Sequence, residues 1–186
     1  MPALSSVPTA VQPSVANPSS DRIAYRRPQP WGMVPDLVVA DAVSGDERLW
    51  VPVGPGSWSR PLHLNVTGGF YTHVLRVRRS GVLQRHRHSG AVHALVLKGR
   101  WHYLEHDWVA EEGSYVFEPP GETHTLTVPD DCAEMVTLFT VHGMLTYVDP
   151  DGHAVGYDDV FTRIEKYRTH FEAVGLGADH VRTFMR

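Results

Sequence analysis

An all-β barrel carrying one C-terminal α-helix is the fold this sequence predicts, and three features predict it. Eight β-rich runs lie between residues 37 and 148, turn signals punctuate them, and after Tyr157 the hydrophobic period becomes that of a helix. The runs are LVVA, RLWVPV, FYTHVLRV, VHALVL, SYVFEP, HTLTV, MVTLFTV and MLTYV. Pro55-Gly56, Gly68-Gly69, Lys98-Gly99, Glu112-Gly113, Pro120-Gly121 and Asp151-Gly152 supply turns between them. Asp149-Pro150-Asp151-Gly152 lacks the rest of a calcium loop and predicts a hairpin joining residues 144–148 to 154–157. Beyond it Val160, Ile164, Tyr167, Phe171 and Val174 recur every three or four residues with Gly175 as a stop, which places one amphipathic helix against the barrel.

The domain plan follows from composition. The opening MPALSSVPTAVQPSVANPSS is small and proline-rich with no charge before Asp21, so residues 1–22 are expected to be a disordered tail. The barrel with its preceding strands is expected over 23–156, and the helix and its tail over 157–186. A formal charge of -4, from 17 basic and 21 acidic residues, gives no footprint for nucleic acid or an anionic membrane, and a small-molecule ligand becomes the better expectation. The run Arg76, Arg78 and Arg79 reads as a solvated strand face. Cys132 alone excludes an internal disulfide framework and a cysteine-based zinc cluster, and reads as a small core residue. With no secretory signal pattern and no apolar run of about 18 residues, a cytoplasmic protein without a membrane span is expected.

Histidine is where chemistry is to be sought. Nine of the 12 histidines fall between His63 and His142, and imidazole is both the commonest metal ligand and the near-neutral acid or base. His86 and His88 stand two apart at a strand entrance and so share a face, which lets one metal ion meet both. His124 follows Pro119-Pro120-Gly121, a turn that would feed it into a second strand of the same barrel. Glu118, six residues before His124, reads either as a group holding an imidazole or removing a substrate proton, or as an exposed strand-end carboxylate. His93 reads as a ligand, a donor behind the ligands, or a wall residue. The aromatic stretch around Trp101, Tyr103, Trp108, Tyr115 and Phe117 offers material for a pocket that binds an aromatic substrate.

These residues carry a resemblance. GVLQRHRHSGAVHALVLKG, from Gly81 to Gly99, resembles the first motif of the cupin superfamily, and GSYVFEPPGETHTLTV, from Gly113 to Val128, resembles the second. Two positions depart from the pattern: the glutamate expected after His88 is Val92 or His93, depending on register, and the final asparagine is Val128. More narrowly, GRWHYLEHDWVAEEGSYVFEPPGETHTL and GYDDVFTRIEKYR resemble the 2,4'-dihydroxyacetophenone dioxygenase family. The resemblance implies a single cupin barrel, of the double-stranded β-helix or jelly-roll type, and commonly a homodimer or homotetramer. It implies one Fe(II) per chain held by His86, His88 and His124, with O2 as co-substrate and an aromatic ketone as substrate; the residues themselves make Glu118 the expected catalytic group and set His93, Trp101, Tyr103 and Tyr115 as expected substrate contacts.

Three imidazoles without a carboxylate would leave the metal's charge unneutralised and positions open for a chelating anion and dioxygen. The reaction implied is cleavage of an aryl α-hydroxyketone between its carbonyl and hydroxymethyl carbons, giving an aromatic acid and formate in aromatic-compound catabolism. Two alternatives use the same barrel: cleavage of a β-diketone, and non-catalytic sensing of a metal or ligand.

Overall fold

The computed structural model describes residues 22–186, so the tail expected over 1–22 lies, apart from Arg22, outside the described residues. The chain divides into two units, Met1–Pro35 and Asp36–Arg186. Within the first, residues 22–35 contain no strand or helix, and the Met33 N–H donates to the Pro30 carbonyl at 3.4 Å.

The second unit holds the barrel. Its strands are β1 Val51–Gly54, β2 Ser57–Asn65, β3 Phe70–Val77, β4 Gly81–His88, β5 Val92–Lys98, β6 Arg100–Tyr103, β7 Ala110–Glu111, β8 Tyr115–Glu118, β9 Thr123–Val128, β10 Met135–His142, β11 Leu145–Val148 and β12 Ala154–Asp158. They form two six-stranded antiparallel sheets, ordered β1-β2-β3-β10-β5-β8 and β12-β11-β4-β9-β6-β7. Inward residues of both sheets, among them Tyr71, Leu75, Val92, Val96, Phe139, Trp101, Leu126 and Leu145, build one core. Cys132 joins it, as a buried residue. The hairpin through residues 149–153 forms as the sequence predicts, between β11 and β12.

The helix α1, Val160–Ala173, forms where the hydrophobic period places it. Asp159 caps it: its carboxylate accepts from the Thr162 N–H, and the Thr162 hydroxyl accepts from the Asp159 N–H, each at 2.8 Å. Gly175, at φ +78°, ends it. The buried face, Val160, Arg163, Ile164, Tyr167 and Phe171, packs against the barrel, and the Tyr167 hydroxyl meets Ser59 Oγ of β2 at 2.7 Å. A 3-10 helix, Ala178–Phe184, follows and buries Val181 and Phe184.

Two expectations are corrected. LVVA at 37–40 has strand propensity but forms no strand, since propensity without a pairing partner does not make a ladder. Arg76 is not solvated: it is 5% exposed, its guanidinium carbon lies 4.2 Å from the Trp50 ring centre, and it pairs with Glu47 at 2.5 Å. Among the described residues, no helix is long and apolar enough to cross a membrane.

Candidate metal centre

Four buried side chains converge inside the barrel: His86 and His88 from β4, His124 from β9 and Glu118 from the end of β8. In β4 the alternation of a strand turns His86 and His88 inward and leaves Arg87 between them exposed. β9 pairs antiparallel with β4 in a register that sets His124 directly opposite His86. Glu118 arrives from the other sheet, opposite Val92 of β5. The turn between Glu118 and His124 depends on Gly121, whose φ of +101° suits glycine and whose N–H donates to the His88 carbonyl at 3.0 Å. The group is therefore assembled from both sheets.

One potential ligand atom from each of the four lies within 4.8 Å of the rest. Ring centres are 4.7 Å apart for His86 and His124, 5.0 Å for His88 and His124, and 6.0 Å for His86 and His88. Glu118 Oε2 stands 3.2 Å from His88 Nε2 and 3.5 Å from His124 Nε2. The Gly90 carbonyl, which can only accept, takes a hydrogen bond from His88 Nδ1 at 2.8 Å, so neutral His88 presents the Nε2 lone pair to the group. Gly90 has no room for a side chain: a Cβ there would lie 2.4 Å from the His142 carbonyl oxygen. Tyr103 supports two members at once. Its hydroxyl donates to Glu118 Oε2 at 2.9 Å, and its ring stacks on His124 at 3.7 Å with 6° between planes.

The residues fit a cation. Among the described residues, His88 Nε2, both nitrogens of His124, His86 Nδ1 and Glu118 Oε1 are buried without a partner at hydrogen-bonding geometry, a state that costs about 1–3 kcal/mol per neutral group unless something else satisfies it. Burial, reinforced by His124 and His88, pushes the His86 imidazolium well below its ordinary pKa. Burial also lowers His124 against the pull of Glu118. At His88 burial works the same way, but the Glu118 carboxylate and the Gly90 carbonyl outweigh it and raise the pKa. Neutral imidazoles with a carboxylate beside them suit a divalent first-row metal.

The sequence predicts three imidazoles without a carboxylate; the structure adds Glu118 to the group. Glu118 is 4% exposed, so its reading as a solvated strand-end carboxylate is corrected as well. Tyr103 lines the cavity beside the group. Trp101 does not: it is fully buried one layer behind, packed on Tyr103 and Phe139. His93 and Tyr115 lie on the opposite face of their sheet. Val92 and Glu118 point inward, so His93 and Phe117, paired across β5 and β8, point outward, and Tyr115 is 64% exposed with its hydroxyl 2.7 Å from His93 Nδ1. Strand parity thus sets His93 and Tyr115, the expected substrate contacts, on the face of the sheet away from the metal group.

The cavity beside the group has a volume of about 90 Å³. Leu75, Leu83, Val92, Leu126, Phe139, Val141 and Leu145 make it largely apolar, while His73, Gln84, His86, Tyr103, Glu118 and Arg163 bring polar atoms. Sequence reasoning missed His73 and Arg163. For Arg163 a signal existed: a charged residue on the apolar face of an amphipathic helix.

A family model described as the ChrR cupin-like domain matches residues 39–146. No curated protein matches the sequence. Among solved structures, an RmlC-like cupin protein from Ralstonia eutropha is 26% identical, with a TM-score of 0.66 over 70% of this chain and 86% of that one. An acetylacetone dioxygenase from Acinetobacter johnsonii is 18% identical, with a TM-score of 0.64 over 80% of this chain and 99% of that one. A second Ralstonia eutropha protein with a cupin-like fold is 23% identical, with a TM-score of 0.62 over 64% and 75%. The expected barrel and the match over more than half of the sequence agree, and the chain belongs to the ChrR cupin-like domain family.

Proposed function

We propose that the protein is a non-haem iron(II) dioxygenase that cleaves an aryl α-hydroxyketone of the 2,4'-dihydroxyacetophenone type. The balanced reaction adds one O2 across the bond between the carbonyl and hydroxymethyl carbons and releases an aromatic carboxylic acid and formic acid. The observation that carries this reading is the buried group of His86, His88, His124 and Glu118, with unsatisfied donor atoms, of which His86 and Glu118 line a largely apolar cavity. The dioxygenase-family resemblance of residues 99–126 and 156–168 supports the substrate class. The shared fold with an acetylacetone dioxygenase supports the scaffold alone.

His86, His88 and His124 would hold the metal, which when bound supplies Lewis acidity toward a chelating ketone and redox chemistry toward dioxygen. Glu118 takes the proton that the substrate hydroxyl must lose, at Oε1, the oxygen without a partner. Tyr103 holds Oε2 through its hydroxyl and keeps the carboxylate aimed. Burial, with Glu118 beside it, raises the Tyr103 phenol well above its usual pKa, so it stays a donor. The apolar wall excludes water from the anion so formed.

A second substrate is favoured by cavity size. The cavity of about 90 Å³ must open for either substrate, and a short aliphatic β-diketone, having fewer atoms than an aryl hydroxyketone, needs less opening.

Anaerobic reconstitution with iron(II), followed by oxygen uptake on aryl hydroxyketones and β-diketones, tests both readings. The hydroxyketone is expected to consume one O2 per molecule and to place one labelled oxygen atom in each acid. Uptake on diketones alone transfers the assignment to the second substrate. Tight ligand binding with no oxygen uptake, in protein verified to hold iron, makes the barrel a sensor.

A further inference from the structure

The cavity has a polar wall that the metal group leaves unused. Arg163, near the start of α1, is 4% exposed and lines the same cavity as His86 and Glu118. A guanidinium carries five N–H donors and keeps its charge at any working pH. Nη2 pairs with Asp158 Oδ2 at 2.9 Å. Among the described residues, Nε and Nη1 meet no acceptor at full hydrogen-bonding geometry, although the Tyr71 and Tyr167 hydroxyls stand close enough to interact with the guanidinium.

The surroundings do not balance this cation. Asp158 is also paired with Lys166 and accepts from the Tyr147 hydroxyl at 2.6 Å, so one carboxylate faces two cations and leaves an excess of positive charge. The Tyr71 ring centre lies 5.3 Å from the guanidinium carbon. Burial raises the pKa of Tyr71 and Tyr167, which keeps both phenols neutral beside Arg163. His73 contributes no charge, since burial holds it neutral, and its Nδ1 meets Ser59 Oγ at 2.8 Å. Glu118, which lines the cavity too, accepts from Tyr103 at Oε2 and keeps Oε1 without a hydrogen-bond partner among the described residues, and Arg79 lines the cavity as a second cation.

We propose that Arg163 makes this cavity a binding site for an organic oxyanion, a carboxylate or phenolate, received by the free Nε–H and Nη1–H donors. As a statement about substrate it rests on the oxygenase reading: Arg163 selects ketones that bear an acidic oxygen beyond the two that chelate. As a binding site it needs no turnover.

Calorimetric titration tests it, with benzoate against benzamide and 4-nitrophenolate against nitrobenzene. The protein is used as purified with its metal and again after chelation. Charge-assisted hydrogen bonds predict that wild type binds at least one anion about tenfold more tightly than its neutral partner, and that Arg163→Met removes about that factor while neutral ligands bind as before. The anion that gains shows whether carboxylate or phenolate is the acidic oxygen. Equal affinity for anions and neutral partners in wild type overturns the proposal whether or not any variant folds. So does anion binding that Arg163→Met leaves intact, or anion binding lost on chelation and unchanged in Arg163→Lys, which belongs to the metal. Arg163→Lys keeps the charge near α1 and is expected to retain part of the anion preference, which covers failure of Arg163→Met to fold. Anion binding without oxygen uptake rejects the oxygenase reading and leaves the site standing; oxygen uptake with Arg163-independent anion binding rejects the site alone.

Discussion

Tyr103 shows how much of the centre hangs on single side chains. Its ring covers His124 and its hydroxyl fixes Glu118, so it steadies a group from each sheet. Tyr103→Phe retains the stack and deletes the hydrogen bond. Oxygen uptake on the aryl hydroxyketone is expected to fall about tenfold, since the hydroxyl aims the proton acceptor, while metal affinity, read by competition with a chromophoric chelator, is retained. His73 offers a second measurement, away from the metal. Burial first, then Arg163, depresses its pKa well below the ordinary value. The folded protein therefore keeps His73 neutral while the unfolded chain takes up a proton below about pH 6.5, and stability contributed above that pH is lost on acidification. Urea unfolding between neutral pH and pH 5 should show this as a slope of up to ~1.4 kcal/mol per pH unit, which His73→Gln flattens. An unchanged slope in the variant would remove His73 from that account.

At the scale of elements, the junction of β12 and α1 carries a buried ionic knot. Asp158 is 2% exposed and binds Arg163, Lys166, Tyr147 and Thr162. Burial works to raise its carboxyl, but Arg163, Lys166 and the Tyr147 hydroxyl overcome this and hold the pKa below the usual range. The stabilisation is present above about pH 4 and is lost as pH falls through the lowered folded value. Asp158→Asn strands Arg163 and should cost about 3 kcal/mol in denaturant unfolding at neutral pH, with a flatter acid limb. What the sequence made legible here follows from period. α1 was readable because its apolar residues repeat as a helix does; Arg163 was not, because a count of apolar positions passes over a charge among them. β5 hid its parity for a related reason. Val92, Ala94 and Val96 face inward, but Leu95 and Leu97 keep the outer face apolar, so nothing in VHALVLK shows which way His93 points. For Glu118, the two prolines that follow obscure the same parity, and only pairing with Val92 resolves it.

For the whole molecule, a buried histidine group drawn from two strands far apart in sequence ties metal binding to stability. A ligand that binds only the folded state at about 100 times its Kd adds ~2.7 kcal/mol, or roughly 5–10 °C in Tm for a chain of this size. Chelation should remove that increment from wild type and nothing from His86→Ala/His124→Ala; equal melting with and without chelator in wild type would mean that no metal is held by these histidines. The order of the two histidine motifs, with the turn glycines between β-rich runs, made the barrel and the three imidazoles readable, whereas the carboxylate comes from a strand of the opposite sheet and needed the fold. Arg163 has another consequence. The family match ends at residue 146, and Arg163 enters the cavity from α1, past that limit and outside all twelve strands. On the reading proposed above, reactivity and selectivity sit on separable stretches of the chain. Evolution, or a designer making chimaeras, can exchange the helix and retune which molecules are admitted while the histidine-bearing barrel is inherited unchanged.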